Sequence, residues 1–162
     1  MSPAPAAAVH DTGDGPALLM LHAFPLDASQ WDHQVAALSG SHRCIRPDFW
    51  GCGTSPLPPD APATLDAFAA EVLRTLDQRQ VDRFTVVGSS MGGYIAFALW
   101  RLCAERINGL VLCSTRAGAD SAERRAEREQ QATHLVADDD HEDVIQLLLA
   151  RLVSPRNLRE AH

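Results

Sequence analysis

The chain has 162 residues, 46% hydrophobic and 22% charged, with a formal net charge of -7; this is enough for one domain with a real core and too little for two, and the acidic balance argues against nucleic acid or an anionic membrane surface as partner. No apolar run approaches the eighteen or so residues that span a bilayer, and the opening "MSPAPAAAV" has neither the basic start nor the long apolar core of a signal peptide. Cys44, Cys52, Cys103 and Cys113 form no CxxC pair and no metal-like spacing with histidine, so they are expected as reduced thiols of a cytoplasmic protein with no metal site.

In chain order, residues 1–8 read as a flexible tail. The first strand expected is Ala17-Leu18-Leu19-Met20-Leu21, which runs into His22-Ala23-Phe24-Pro25. A helix follows from about Ser29 to Leu38, with Trp31, Val35 and Leu38 on one side, and then a strand near Cys44-Ile45. The proline-rich "PLPPDAPAT" can be neither strand centre nor helix interior and is expected as a surface loop.

From about Thr64 to Arg79, Leu65, Phe68, Ala69, Val72, Leu73 and Leu76 recur at the spacing of one buried helical face. A strand over 83–88 leads into Met91 to Cys103, apolar nearly all round and long enough for a buried helix. Gly109 to Cys113 is the next strand. This β-α-β-α rhythm, with strands apolar on both faces, predicts an α/β fold: a mostly parallel sheet with helices on both faces.

After Cys113 the rhythm breaks. The segment to residue 162 reads as two helices and no strand, the first highly charged and the second with Ile145, Leu148, Leu149 and Leu152 on one face. Such a pair laid over a sheet would form a lid. In "DDDHED", Asp140 is expected at an N-cap with Glu142 and Asp143 in the first turn, rather than around a metal.

The chemistry concentrates in "VVGSSMGGYIA", residues 86–96. Ser90 has Gly88 two residues before it and Gly92 two after, the G-x-S-x-G frame of a nucleophile elbow, whereas Ser89 would need glycines at Val87 and Met91. A side chain raised on a sharp strand-to-helix turn is crowded by any Cβ two residues away, which is why glycine flanks it. The helix that follows aims its free N–H groups back at the turn, where a developing oxyanion could be held.

Three motifs occur together: "LHAFP" at the end of the first strand, "RPDFWGCGTS" before the proline loop, and the elbow. In this order and spacing the chain resembles the alpha/beta-hydrolase fold superfamily from about Val9 to Thr115. The resemblance implies Ser90 as nucleophile, the backbone N–H groups of Phe24 and Met91 as oxyanion hole, and His22 as a loop brace rather than a proton carrier. It also implies that Asp48, Gly51 and Gly53 are scaffold. Ala23 stands where glycine is commoner, and Trp50 where many relatives carry arginine; Trp50 either lines the pocket or packs. The implied activity is hydrolysis of a small carboxylic ester or lactone through an acyl-enzyme, with no cofactor.

One departure is serious. In this fold the acid and then the histidine of the triad follow the nucleophile, each after a later strand. Here only one strand is expected after Ser90, followed by Ser114 and Thr115. Asp120 suits a helix N-terminus, His134 and His141 fall in the lid helices, and His162 is the last residue. The expectation is therefore residues 9–115 as the N-terminal part of a hydrolase core, truncated, with 116–162 as the start of a helical lid. A split protein, or one part of an assembly, would look the same. The alternative function is a non-catalytic fragment that binds, or associates as a homodimer or with a complementing C-terminal chain.

Overall fold

The computed structural model describes residues 7–60, 62, 64–137, 142–154 and 156–157. Two compact units emerge, Met1–Ala117 and Gly118–His162.

The first unit is a five-stranded sheet. Its strands are β1 (Val9–Thr12), β2 (Ala17–Leu21), β3 (Arg43–Pro47), β4 (Phe84–Ser89) and β5 (Ile107–Cys113), in the spatial order β1-β3-β2-β4-β5. The pairs β2–β3, β2–β4 and β4–β5 are parallel, and β1 pairs antiparallel to β3 with Val9 opposite Pro47 and Thr12 opposite Cys44.

Helix α1 (Asp32–Leu38) covers one face of this sheet, while α2 (Leu65–Gln78) and α3 (Met91–Cys103) cover the other. The side-chain alternation of a strand divides the core accordingly. Leu19 and Leu21 of β2 join Ile45, Phe84 and Val86 against Val72, Leu76, Ile95 and Leu99. Met20 faces the opposite way, toward Trp31, Val35 and Cys44. Both faces of the central strands are buried, and this explains why those strands read as continuous apolar runs.

Local signals set most boundaries. Thr64 caps α2 through its hydroxyl, which accepts from the Ala67 N–H at 3.2 Å. The helix expected over Ser29 to Leu38 is divided into a 3₁₀ turn, Ala28–Trp31, followed by α1. The Ala28 N–H donates to buried Asp48 at 2.8 Å and the Ala28 carbonyl accepts from Arg46, so this turn is held by the end of β3 and the loop that follows it. β1 was not expected, because "VHDT" offers a single apolar residue; its pairing comes from backbone hydrogen bonds and the Asp11–Arg43 ion pair.

Of the expected tail, residues 1–6 lie outside the described residues. Ala7 and Ala8 are held, their N–H groups donating to Glu71 and Ser55. The proline-rich loop forms no helix or strand among its described residues, with Ala61 and Ala63 outside them.

The second unit contains α4 (Ala122–Ala137) and α5 (Glu142–Leu152), which contact each other. Asp120 pairs with Arg128, and the Ser121 hydroxyl accepts from the Arg124 N–H at the start of α4. The expected cap Asp140 and His141 lie outside the described residues, as does His162. Among the described residues no strand follows β5, and no helix is long and apolar enough to cross a membrane.

Candidate active site

Ser90 lies at the junction of β4 and α3, with φ 48° and ψ -107°. A non-glycine residue in that conformation carries about 1–3 kcal/mol of strain and persists only where its surroundings impose it. Here they do. The Ser90 N–H donates to the Cys113 carbonyl of β5 at 2.9 Å, and its own carbonyl accepts the first helical bonds, from Gly93 and Tyr94.

The flanking glycines are required by close approach. A Cβ on Gly92 would strike the carbonyl oxygen of Leu21, and one on Gly88 would stand 2.7 Å from the Gly92 carbonyl oxygen. The turn is thus compressed against β2 and against its own helix.

The same compression delivers the neighbouring loop. Leu21, the last residue of β2, pairs with Gly88 in the parallel register. The end of β2 at Leu21 therefore lies against the elbow, and the chain leaves it through His22, Ala23 and Phe24. The Leu26 N–H closes a turn on the Ala23 carbonyl at 2.9 Å, and the Ala23 N–H donates to Gln30 at 2.8 Å. The Phe24 and Met91 N–H groups donate to no protein acceptor among the described residues. For Met91 the reason is general, since the first turn of any helix leaves donors unpaired.

His22 is wholly buried and both of its ring nitrogens are engaged. The Phe49 N–H donates to Nε2 at 3.1 Å, so Nε2 carries no proton and the neutral ring holds its proton on Nδ1, which donates to the Ala23 carbonyl at 2.9 Å. Burial holds its pKa below the ordinary value, outweighing the opposing pull of the Ala23 carbonyl and Asp48. A neutral ring with no free nitrogen ties the loop after β2 to the loop after β3 and has nothing left with which to take a proton from Ser90.

The second loop is organised on Asp48, itself 2% exposed. It accepts from the Ala28 N–H, the Thr54 N–H and the Thr54 hydroxyl, and a Cβ on Gly53 would collide with its carboxylate. The hydrogen bonds of this carboxylate hold loop geometry, and its Oδ2 also lies 3.8 Å from Nε2 of His10 on β1.

Trp50 packs its ring on Phe68 at 5.5 Å between centroids and is linked through Phe68 to Phe49 and His22. It borders a cavity of about 10 Å³ with Phe68, Glu71, Val72 and Thr75, and Ser90 is not part of that lining. A space of that size holds one water and no substrate.

His134 is on α4 in the second unit and is exposed. Among the described residues no three or more His, Cys, Asp or Glu side chains are grouped to hold a metal. One residue of consequence had no sequence signal: Thr115, whose hydroxyl donates to the Ser90 carbonyl at 2.9 Å across 25 positions of chain.

Comparison with known proteins adds to this geometry. The family model described as alpha/beta hydrolase fold matches residues 16–153. A 2-hydroxymuconate semialdehyde hydrolase of Pseudomonas sp. is 35% identical over 107 residues, 64% of this chain and 38% of that protein. Haloalkane dehalogenase 2 of Mycobacterium bovis is 31% identical over 105 residues, 65% of this chain and 37% of that protein. Among solved structures, a thermophilic esterase from Thermogutta terrifontis superposes with a TM-score of 0.86 at 34% identity, covering 94% of this chain and 56% of that one. The chain therefore spans little more than a third of these curated relatives and just over half of the solved one.

Proposed function

This chain belongs to the alpha/beta hydrolase fold family, and from that premise we propose that it carries the nucleophile half of a serine hydrolase acting on carboxylic esters or lactones. The relatives named above are hydrolases of differing chemistry, including a dehalogenase and an esterase; their likeness supports hydrolysis as the reaction class, and the substrate class is argued from the site.

The observation that carries the reading is Ser90 in its strained turn, a hydroxyl between two glycines at the mouth of α3. In the proposed reaction its oxygen attacks an acyl carbonyl and the C–O bond to the leaving alcohol breaks. Water then releases the acid from the acyl-serine. Negative charge builds on the carbonyl oxygen at each addition, and the N–H groups of Phe24 and Met91 are the donors proposed to receive it, each contributing about 3 kcal/mol. A hydroxyl in place of a carboxylate at this position favours ester chemistry over reactions that need a carboxylate nucleophile.

The proton of Ser90 needs a base. His22 is occupied, and among the described residues no strand follows β5 to present an acid or a histidine. We therefore propose that the isolated 162-residue chain turns over esters slowly, and that association, as a homodimer or with a complementing chain, accompanies activity. The same observation favours a second reading, a non-catalytic chain that binds or associates. A fluorophosphonate probe separates the two: the serine-hydrolase reading expects one adduct, mapped to Ser90, while folded protein that takes no label supports the second.

A further inference from the structure

Both backbone polar groups of Ser90 are held from the end of β5. The Cys113 carbonyl accepts the Ser90 N–H, and the Thr115 hydroxyl donates to the Ser90 carbonyl, each at 2.9 Å. Between them Ser114 has φ 49°, a left-handed conformation uncommon outside glycine that turns the chain where Thr115 begins. The Thr115 side chain fills the space at Gly93: its Cγ2 and Oγ1 each lie 2.5 Å from where a Cβ on that glycine would stand. Helix α3 and residue 115 are therefore fitted to each other.

The Ser90 carbonyl and the Met91 N–H are the two ends of one planar peptide unit. Whatever fixes the direction of the carbonyl fixes the direction of the N–H, and a donor on the carbonyl polarises the unit so that its N–H donates more strongly. The Gly93 and Tyr94 N–H groups reach the same oxygen at 3.0 and 3.3 Å, but they belong to the helix that the peptide unit begins. Thr115 has the shortest of the three contacts, and it comes from outside the helix.

We infer that Thr115 is a positioning residue for the oxyanion hole: it sets the plane of the Ser90–Met91 peptide and so aims the Met91 N–H. The inference rests on the proposed role of that N–H. It assigns to the segment after β5 a part in the chemistry that carries no proton.

The test compares Thr115→Val, which keeps a branched side chain beside Gly93 but loses the donor, with Thr115→Ser, which keeps the donor. Two readouts are taken on the full chain: the Ser90 carbonyl and Met91 amide resonances by NMR, and the saturating rate of labelling by a fluorophosphonate. In Thr115→Val both resonances should move while those of Val72 and Leu76 stay in place. Its labelling rate should fall by up to about tenfold, the effect of one lost hydrogen bond, at an unchanged half-saturating probe concentration. Thr115→Ser should return both readouts toward the parent protein. Unmoved resonances in Thr115→Val, or a Thr115→Ser protein as impaired as Thr115→Val, would overturn the inference. If the parent protein takes no label, the nucleophile reading fails by itself, and the two resonances alone then decide whether Thr115 sets the peptide.

Discussion

Two neighbouring serines differ entirely in what the backbone does with them. Ser89 is the last residue of β4, paired with Cys113, while Ser90 is the strained residue that opens α3. Ser90→Ala should abolish covalent labelling and any esterase activity, whereas Ser89→Ala should leave most of both; equal losses would place the nucleophile elsewhere. His22 yields a prediction of a different kind. Its folded pKa is lowered by burial, so as pH falls below about 6.5 the unfolded chain binds a proton that the folded ring refuses. This contribution to stability is fully present above that pH and declines as pH drops toward the folded pKa. Urea midpoints measured at about pH 7.5 and about pH 5.5 should fall on acidification, and His22→Gln should show a shallower fall over that window.

At the scale of elements, each helix start and sheet edge has its own energetics. Thr64 satisfies one of the donors that open α2, so Thr64→Ala should destabilise the protein by about 1 kcal/mol, read as a shifted urea midpoint with unchanged slope. Among the described residues β5 pairs with β4 on one side only, and Val111 and Leu112 on it are 48% and 41% exposed. An apolar strand with free N–H and C=O groups along one edge is a template for another strand. Concentration-dependent association should be visible by sedimentation, and Val111→Lys should weaken it without unfolding the protein. Association unaffected by that charge would place the contact elsewhere.

For the molecule as a whole the question is whether the proposed nucleophile and oxyanion donors suffice. Loss of the base costs a triad enzyme on the order of 10⁶-fold in turnover, with a residual rate left by binding and the oxyanion hole. Ester hydrolysis by the isolated monomer should accordingly be slow, and should rise with protein concentration or on adding a chain that supplies a histidine. Turnover by a demonstrated monomer at the rate of complete hydrolases would show that a base reaches Ser90 from within these 162 residues.

Local patterns in the residues were enough to determine the layered α/β arrangement. Four of five strands and the span of α3 follow from apolar runs and from the switch between periods of two and 3.6, signals that each lie within a short window. The elbow was legible for the same reason, since Gly88, Ser90 and Gly92 answer a crowding problem confined to five residues. What lay beyond such windows was decided by register. β1 has almost no apolar pattern and exists because backbone groups of β3 pair with it. The tautomer of His22 is imposed by Phe49, 27 positions away, and the grip of Thr115 on Ser90 spans 25. Trp50 turned toward Phe68 because α2 offers an aromatic partner there. Contacts of this kind depend on which strand lies beside which, a fact that no single stretch of chain contains and that only parallel pairing and helix packing supply.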